Sequence, residues 1–440
     1  MEVNKEACLE IFWMNSASPD AFIDLYDRFQ ADTGIKVDIV PSASPMEEPI
    51  LAKWAAGERP DILDWHSLGV WFIQINAPET CQDLSDMEFV DKYKPEFKFI
   101  NELLYPDGKI WGVNLIHPHV TGYCYNKEIF TELNLEIPKN YDEFFKLCGD
   151  IKDAGITPLY GAAQDAWPLQ IDTFGFYCDG YKDDPTGFYE DLNTGKTNFV
   201  QPAYLDALNA VQKLLDAGYY QENVNVGTFA ESQDALYNGD VAMTAQLEWL
   251  PQIIADNYGM EEANAKIGMF GISMESNCVP WGLWSPGACW VLPKTGDPLR
   301  EAAAREFINY ISGEGYEQFA KDYGMPAVLE GVDVEIKLEG LAEIISYFEK
   351  DSAPVFHQLV NASYGTYEFY MQEMFAGTKT PEDVAQALSD EFAKNAIKLG
   401  LPGWELIFAD VVMISLPMVI LFIFAHRQIT SGIMSGAVKG

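Results

Sequence analysis

The chain is 440 residues long, beyond the usual size of one compact core, so two units of ordinary domain size are expected. Hydrophobic residues make up 48% and charged residues 22%, which excludes a disordered or fibrous chain. Against 28 Lys plus Arg stand 67 Asp plus Glu, a net charge of -39; such a surface repels phosphate backbones and anionic lipid headgroups, excluding nucleic acid and favouring a neutral or cationic ligand.

The opening Met1 to Cys8 has no apolar run that could direct export, and Lys5 stands where a lipoprotein signal carries an apolar residue, so a protein acting outside the cell would need its export signal from elsewhere. Cys8 to Trp13 alternates apolar and polar and reads as a strand, ending in the turn-like Asn15-Ser16-Ala17-Ser18. Ser18-Pro19 then caps a helix whose Phe22, Leu25, Tyr26 and Phe29 recur at helical spacing, and Gly34 closes it. Ile35, Val37 and Ile39 form the next strand, Ile50 to Ala56 a second helix stopped by Gly57, and Pro60 to Asp64 a short buried strand. This order of strand and helix implies an α/β sheet. Further helices are expected near Tyr141 to Ala154, Ala203 to Ala217 and Thr228 to Asn238, each followed by glycine. Others span Arg300 to Ile311 and Glu317 to Tyr323, and a last one starts at the capping sequence Thr380-Pro381-Glu382-Asp383. No repeat or low-complexity linker divides the chain, so the two units are expected to be interleaved.

Seven cysteines lack the C-x-x-C spacing of zinc or redox sites, so a disulfide framework is not expected and burial is the expected fate of most. His117-Pro118-His119 could offer two imidazoles to a metal, but with 5 His in all and no nearby acidic or thiol cluster, no metal and no cofactor is assigned. From Leu406 to Ala425 the chain is apolar with Asp410 as its sole charge, long enough to cross a bilayer core of about 30 Å. His426, Arg427 and Lys439 follow, which would put the C-terminus in the cytoplasm.

In this order, Leu9-Glu10-Ile11-Phe12-Trp13, Pro60-Asp61-Ile62, Gly108-Lys109-Ile110-Trp111-Gly112-Val113, Tyr123-Cys124-Tyr125-Asn126-Lys127, Trp167-Pro168-Leu169-Gln170, Asn238 to Met243 leading to Trp249, and Gly377-Thr378-Lys379-Thr380-Pro381 resemble the extracellular sugar-binding proteins of ABC importers, the family of the maltose-binding protein. The resemblance spans about residues 9 to 399. It implies a two-lobed periplasmic-binding-protein fold of the class II type, interleaved and hinged, with crossovers near His117, Gly287 and Ala327. Lobe 1 would combine residues 6–117 with 288–328, and lobe 2 residues 118–287 with 329–399. The tail, 404–440, with Leu416-Pro417, Phe422 to Arg427 and the ending Gly432 to Gly440, resembles the last transmembrane helix and cytoplasmic end of a maltose-type permease. The implied function is a receptor, not an enzyme, on the extracellular face of the bacterial membrane, passing a neutral mono- or oligosaccharide to permease subunits.

A sugar offers apolar C–H faces and a rim of hydroxyls, so its site needs aromatic plates beside amides or carboxylates. The leading set is Trp13 with Asn15, Asp64 with Trp65, Asp165 with Trp167, and Glu248 with Trp249, the tryptophans stacking and the carboxylates accepting from hydroxyls. Trp284 is added because Pro280 to Trp284 reads as too irregular for a strand. Tyr123 is added because it and Tyr125 are expected to divide, one to the cleft and one to the core. A glycoside hydrolase, which needs two carboxylates flanking the scissile bond, and a membrane-tethered sugar sensor are the competing readings.

Overall fold

The computed structural model describes residues 8–13, 19–41, 47–67, 69–98, 108–283, 289–355 and 360–399. Asn15, Trp284, the crossover near Gly287 and the tail 404–440 lie outside these. Among the described residues no helix is long and apolar enough to cross a membrane.

The α/β expectation holds. The first sheet has the order β2-β1-β3-β9, from β1 (Cys8–Trp13), β2 (Lys36–Pro41), β3 (Ile62–Trp65) and β9 (Cys289–Val291). The first three are parallel, joined by the helices Pro19–Thr33 and Glu47–Ala55, and β9 returns antiparallel to β3. Phe22, Leu25, Tyr26 and Phe29 are all buried, as their spacing predicts, and Gly34 ends the turn at φ 80, a conformation that costs glycine nothing. Phe22 and Phe29 meet Phe319 and Phe307 edge-on at 5.2 Å, which docks the helices Pro298–Ile311 and Tyr316–Tyr323 on the same core.

Asp61 is buried beside β1, where it accepts from the Glu10 N–H at 2.8 Å. Arg300 grips it with two N–H donors, one of them Nε at 2.7 Å. Arg300→Ala would leave the carboxylate one backbone donor, and urea unfolding should show a loss of about 2 kcal/mol. An unchanged midpoint would mean that water replaces the guanidinium.

The second sheet runs β10-β8-β4-β6-β5, with β7 also paired to β4; these are β4 (His119–Asn126), β5 (Thr157–Tyr160), β6 (Val241–Leu247), β7 (Ile267–Phe270), β8 (Val279–Gly282) and β10 (Ser352–Pro354). Pro280 therefore sits in a strand, contrary to the sequence reading. β4 pairs with β8 only at Trp281 and Gly282, so the missing Pro280 N–H is not needed on that edge. Strand alternation assigns β4 to two cores: Val120 and Cys124 face the first, Tyr123 and Tyr125 the second.

The helices Phe229–Asn238 and Pro381–Lys398 begin with reciprocal caps, Thr228 with Glu231 and Thr380 with Asp383. Cys178 and Cys278, 100 residues apart, form a disulfide that the sequence reading did not foresee, whereas Cys81, Cys124, Cys148 and Cys289 are buried thiols as expected.

Candidate ligand-binding site

At the end of the first sheet, Trp13 is 7% exposed and its Nε1 is buried without a hydrogen-bond partner. Asp64 and Trp65 lie wholly inside the protein, opposite Trp290 and Cys289 of β9. Trp290 Nε1 donates to the Tyr26 hydroxyl at 3.0 Å, and burial, aided by the Asp64 charge, pushes that hydroxyl above its ordinary range. Trp65 donates its Nε1 to the Trp71 carbonyl at 3.2 Å and meets the Trp71 ring edge-on at 5.5 Å. The half-buried indole at this end is therefore Trp71, with Trp65 as its support. His66 lies 4.8 Å from Trp71 and bonds through Nε2 to Glu47 Oε1 at 2.9 Å, which holds the Glu47 carboxyl below its usual range. None of Glu47, His66 and Trp71 was selected from the sequence. The sequence does carry a second tryptophan six residues after Trp65, but nothing local ties either to Glu47.

The other half of the chain comes up to this cluster. A side-chain carbon at Gly69 would stand 3.7 Å from Asn361 Oδ1. Glu368, on the helix Tyr367–Phe375, has its carboxyl raised by burial and then by the charge of Glu47.

Two further sets sit on the second sheet's side. Asp165 and Trp167 flank Ala166, which has φ 61 and ψ -57, and the Trp167 N–H donates to the Asp165 carbonyl at 2.7 Å. This is the γ-turn of positive φ, a strained conformation for alanine, and such strain collects at binding sites. Asp165 Oδ2 accepts from the Phe229 N–H at 2.6 Å and Trp167 packs edge-on against Phe229 at 5.1 Å, so Phe229 joins the pair. Glu248 and Trp249 follow β6 directly. Glu248 is 1% exposed; its Oε2 accepts from the Val120 N–H at 2.8 Å and its Oε1 from His119 Nδ1 at 2.7 Å. The His119 ring lies 5.0 Å from that of Trp249, at 70°. Trp249 is half-buried and packs on both apolar cores.

Tyr123 does not join these residues. β4 is regular over eight residues, so Tyr123 and Tyr125 share a face instead of dividing, and both pack on Phe270. The Tyr123 hydroxyl donates to Asp172 Oδ1 at 2.5 Å inside the second core. Burial pushes the Asp172 carboxyl up to about 6, although its tyrosine donors pull it down. The folded state thus takes up this proton before the unfolded chain does, and stability lost above pH 6 should return as pH falls toward 4. Relative to Asp172→Asn, wild type should gain about 2 kcal/mol in urea unfolding between pH 8 and pH 4. A constant difference would show that Asp172 is not held neutral.

His117 and His119 are engaged separately: His117 Nδ1 donates to the Pro118 carbonyl at 2.7 Å, while His119 serves Glu248. Burial lowers the His117 imidazole to about 3, so it stays neutral. Trp281 and Trp290 are both buried.

Two helix-covered α/β sheets, each with tryptophans beside carboxylates on its side, are the architecture of a solute-binding protein. The chain belongs to the bacterial extracellular solute-binding proteins, whose family model matches residues 24–340. The multiple sugar-binding protein of Streptococcus mutans serotype c is 24% identical over 327 residues, covering 70% of this chain and 71% of that one. A polygalacturonan/rhamnogalacturonan-binding protein of Bacillus subtilis is 27% identical over 150 residues, 32% and 29% of the two chains. Among solved structures, a chitin oligosaccharide binding protein matches with TM-score 0.75 and 21% identity, over 90% of this chain and 100% of that one. RafE in complex with raffinose matches with TM-score 0.74 and 21% identity, over 88% and 98%.

Proposed function

We propose that this protein is the carbohydrate-binding receptor of an ABC importer, capturing a neutral mono- or oligosaccharide between two hinged lobes and delivering it to permease subunits. The observation that carries the reading is that half-buried indoles stand beside carboxylates on the sides of both sheets: Trp71 with His66 and Glu47, and Trp167 with Asp165. The relatives whose names specify a ligand bind sugars, raffinose and chitin oligosaccharide among them. The lobes are taken as residues 6–117 with 288–328 and 118–287 with 329–399. In support, β1, β2, β3 and β9 fall in the first set and the remaining strands in the second.

Trp167 and Trp249 are the stacking plates, Asp165 accepts from hydroxyls, and Trp13 lines the first sheet's side, with Asp64 and Trp65 bracing it from behind. The hydrolase reading is disfavoured because the Glu248 oxygens are both committed to protein donors. The disulfide suits an oxidising, extracytoplasmic setting. The apolar run 406–425 is proposed to tether the receptor to the membrane, which extraction with alkaline carbonate would test: release into the supernatant removes the tether.

The test of the receptor reading is calorimetric titration of the full chain with glucose, galactose, raffinose, stachyose, chitotriose and trigalacturonate. Saturable binding of a neutral sugar is expected. Binding confined to trigalacturonate, or silence throughout, would overturn the assignment.

A further inference from the structure

We propose that His119 and Glu248 form a positioning pair that does not touch the carbohydrate but holds Trp249 in the orientation that receives it. The inference rests on the receptor reading, which gives Trp249 its role as a plate. Glu248 reads in sequence as a sugar ligand, a carboxylate beside a tryptophan. Its geometry is that of a clasp. Both carboxylate oxygens are committed, to the Val120 N–H at 2.8 Å and to His119 Nδ1 at 2.7 Å, and its own N–H donates to the Val120 carbonyl at 3.0 Å. At 1% exposure it has no face left for a hydroxyl.

The clasp fixes the imidazole. Because a carboxylate oxygen only accepts, the ring proton on that side belongs to Nδ1, and the bond sets the plane of the ring. Nε2, on the other side, is buried with no hydrogen-bond partner. An unpartnered buried nitrogen costs stability that an apolar ring would not, so the imidazole is favoured over such a ring only through what its Nδ1 bond fixes. What the ring meets is Trp249, at 5.0 Å and 70°.

Beside the His119 ring, what holds the Trp249 side chain is apolar packing, which sets no fixed plane for the indole. Its backbone is set at the start of the helix Leu250–Tyr258, where its carbonyl accepts from Gln252 and Ile253 at 3.0 and 3.1 Å. The indole itself is half-buried and lies where the two apolar cores meet. Tyr323, from the helix packed on the first sheet, stands near enough that the Glu248 charge adds to burial in raising its hydroxyl. The clasp therefore sits at the junction of the two halves, on the strand that leaves the first crossover.

His119→Asn separates the clasp from the plate, because the Asn amide nitrogen can stand in for Nδ1 toward Glu248 while the ring beside Trp249 is removed. Titrated with the same sugar panel, His119→Asn should bind about tenfold more weakly than wild type, chiefly through faster dissociation, with unchanged urea stability. In a Trp249→Leu background, which has no plate to orient, the same change should cost less than about twofold. Equal affinity of wild type and His119→Asn, or additive losses in the double variant, would overturn the inference while leaving the receptor reading intact. Silence of wild type across the panel would remove both. Should His119→Asn fail to fold, Glu248→Gln keeps an acceptor for the Val120 amide and loses the second oxygen that orients His119; a tenfold loss is again expected, and parity with wild type overturns the proposal.

Discussion

Trp249→Ala is expected to weaken sugar binding by about 2 kcal/mol or more, roughly thirtyfold, without unfolding the protein. The residue is half-buried at the meeting of the two cores, and its truncation removes both the stacking face and the surface that excludes water from it. Trp65→Phe is the instructive comparison. Trp65 is fully buried and donates to the Trp71 carbonyl, so its loss should lower stability and disturb binding only through Trp71. Titration calorimetry together with urea unfolding separates the cases: affinity lost at constant stability for Trp249, stability lost first for Trp65. The opposite pattern would move the plate from one side of the junction to the other.

Removing the Cys178–Cys278 disulfide by a double alanine substitution should cost about 4 kcal/mol, because the bridge closes a loop of 100 residues and the unfolded chain regains that freedom. The bridge joins the segment after the helix Ile171–Phe176 to the segment entering β8. Here an Asp179 network reinforces it, accepting from Ser273, Ser276, the Glu275 N–H and Lys182 at 2.6 to 2.9 Å. Urea unfolding with and without reductant is the measurement. Wild type in reductant should fall to the level of the variant, and the variant should not respond. If reductant leaves wild type unchanged, the two thiols are not bridged in the native protein.

The expectation of an α/β fold came from local chemistry, and at Pro19–Thr33, Tyr141–Asp153, Phe229–Asn238 and Pro381–Lys398 the helices lie close to where spacing, caps and closing glycines put them. The short strands of the second sheet were less legible. Val279–Gly282 looks like a loop because proline and glycine interrupt it, and only its two neighbours, β10 and β4, make it a strand. The residues of the proposed site were picked by residue type and neighbouring pairs. Tryptophan beside carboxylate drew attention to Asp165 with Trp167 and to Glu248 with Trp249, yet within the second pair the carboxylate proved to face the protein. Glu47, His66 and Trp71 were missed because each lies on a different segment, and no local pattern joins the start of one helix to the end of a strand and to the next helix.

The sequence by itself determined the periodicities, caps and left-handed glycine turns, since these depend on neighbours within a turn or a strand pair. Only the tertiary structure decided which aromatic stays half-exposed and which is sealed in the core. An indole has the same hydrophobicity in either place. What distinguishes Trp249 from Trp65 is that β9 returns across the chain to pair at Cys289 and Trp290, sealing Trp65 inside, while among the described residues no strand pairs with β6 beyond Leu247.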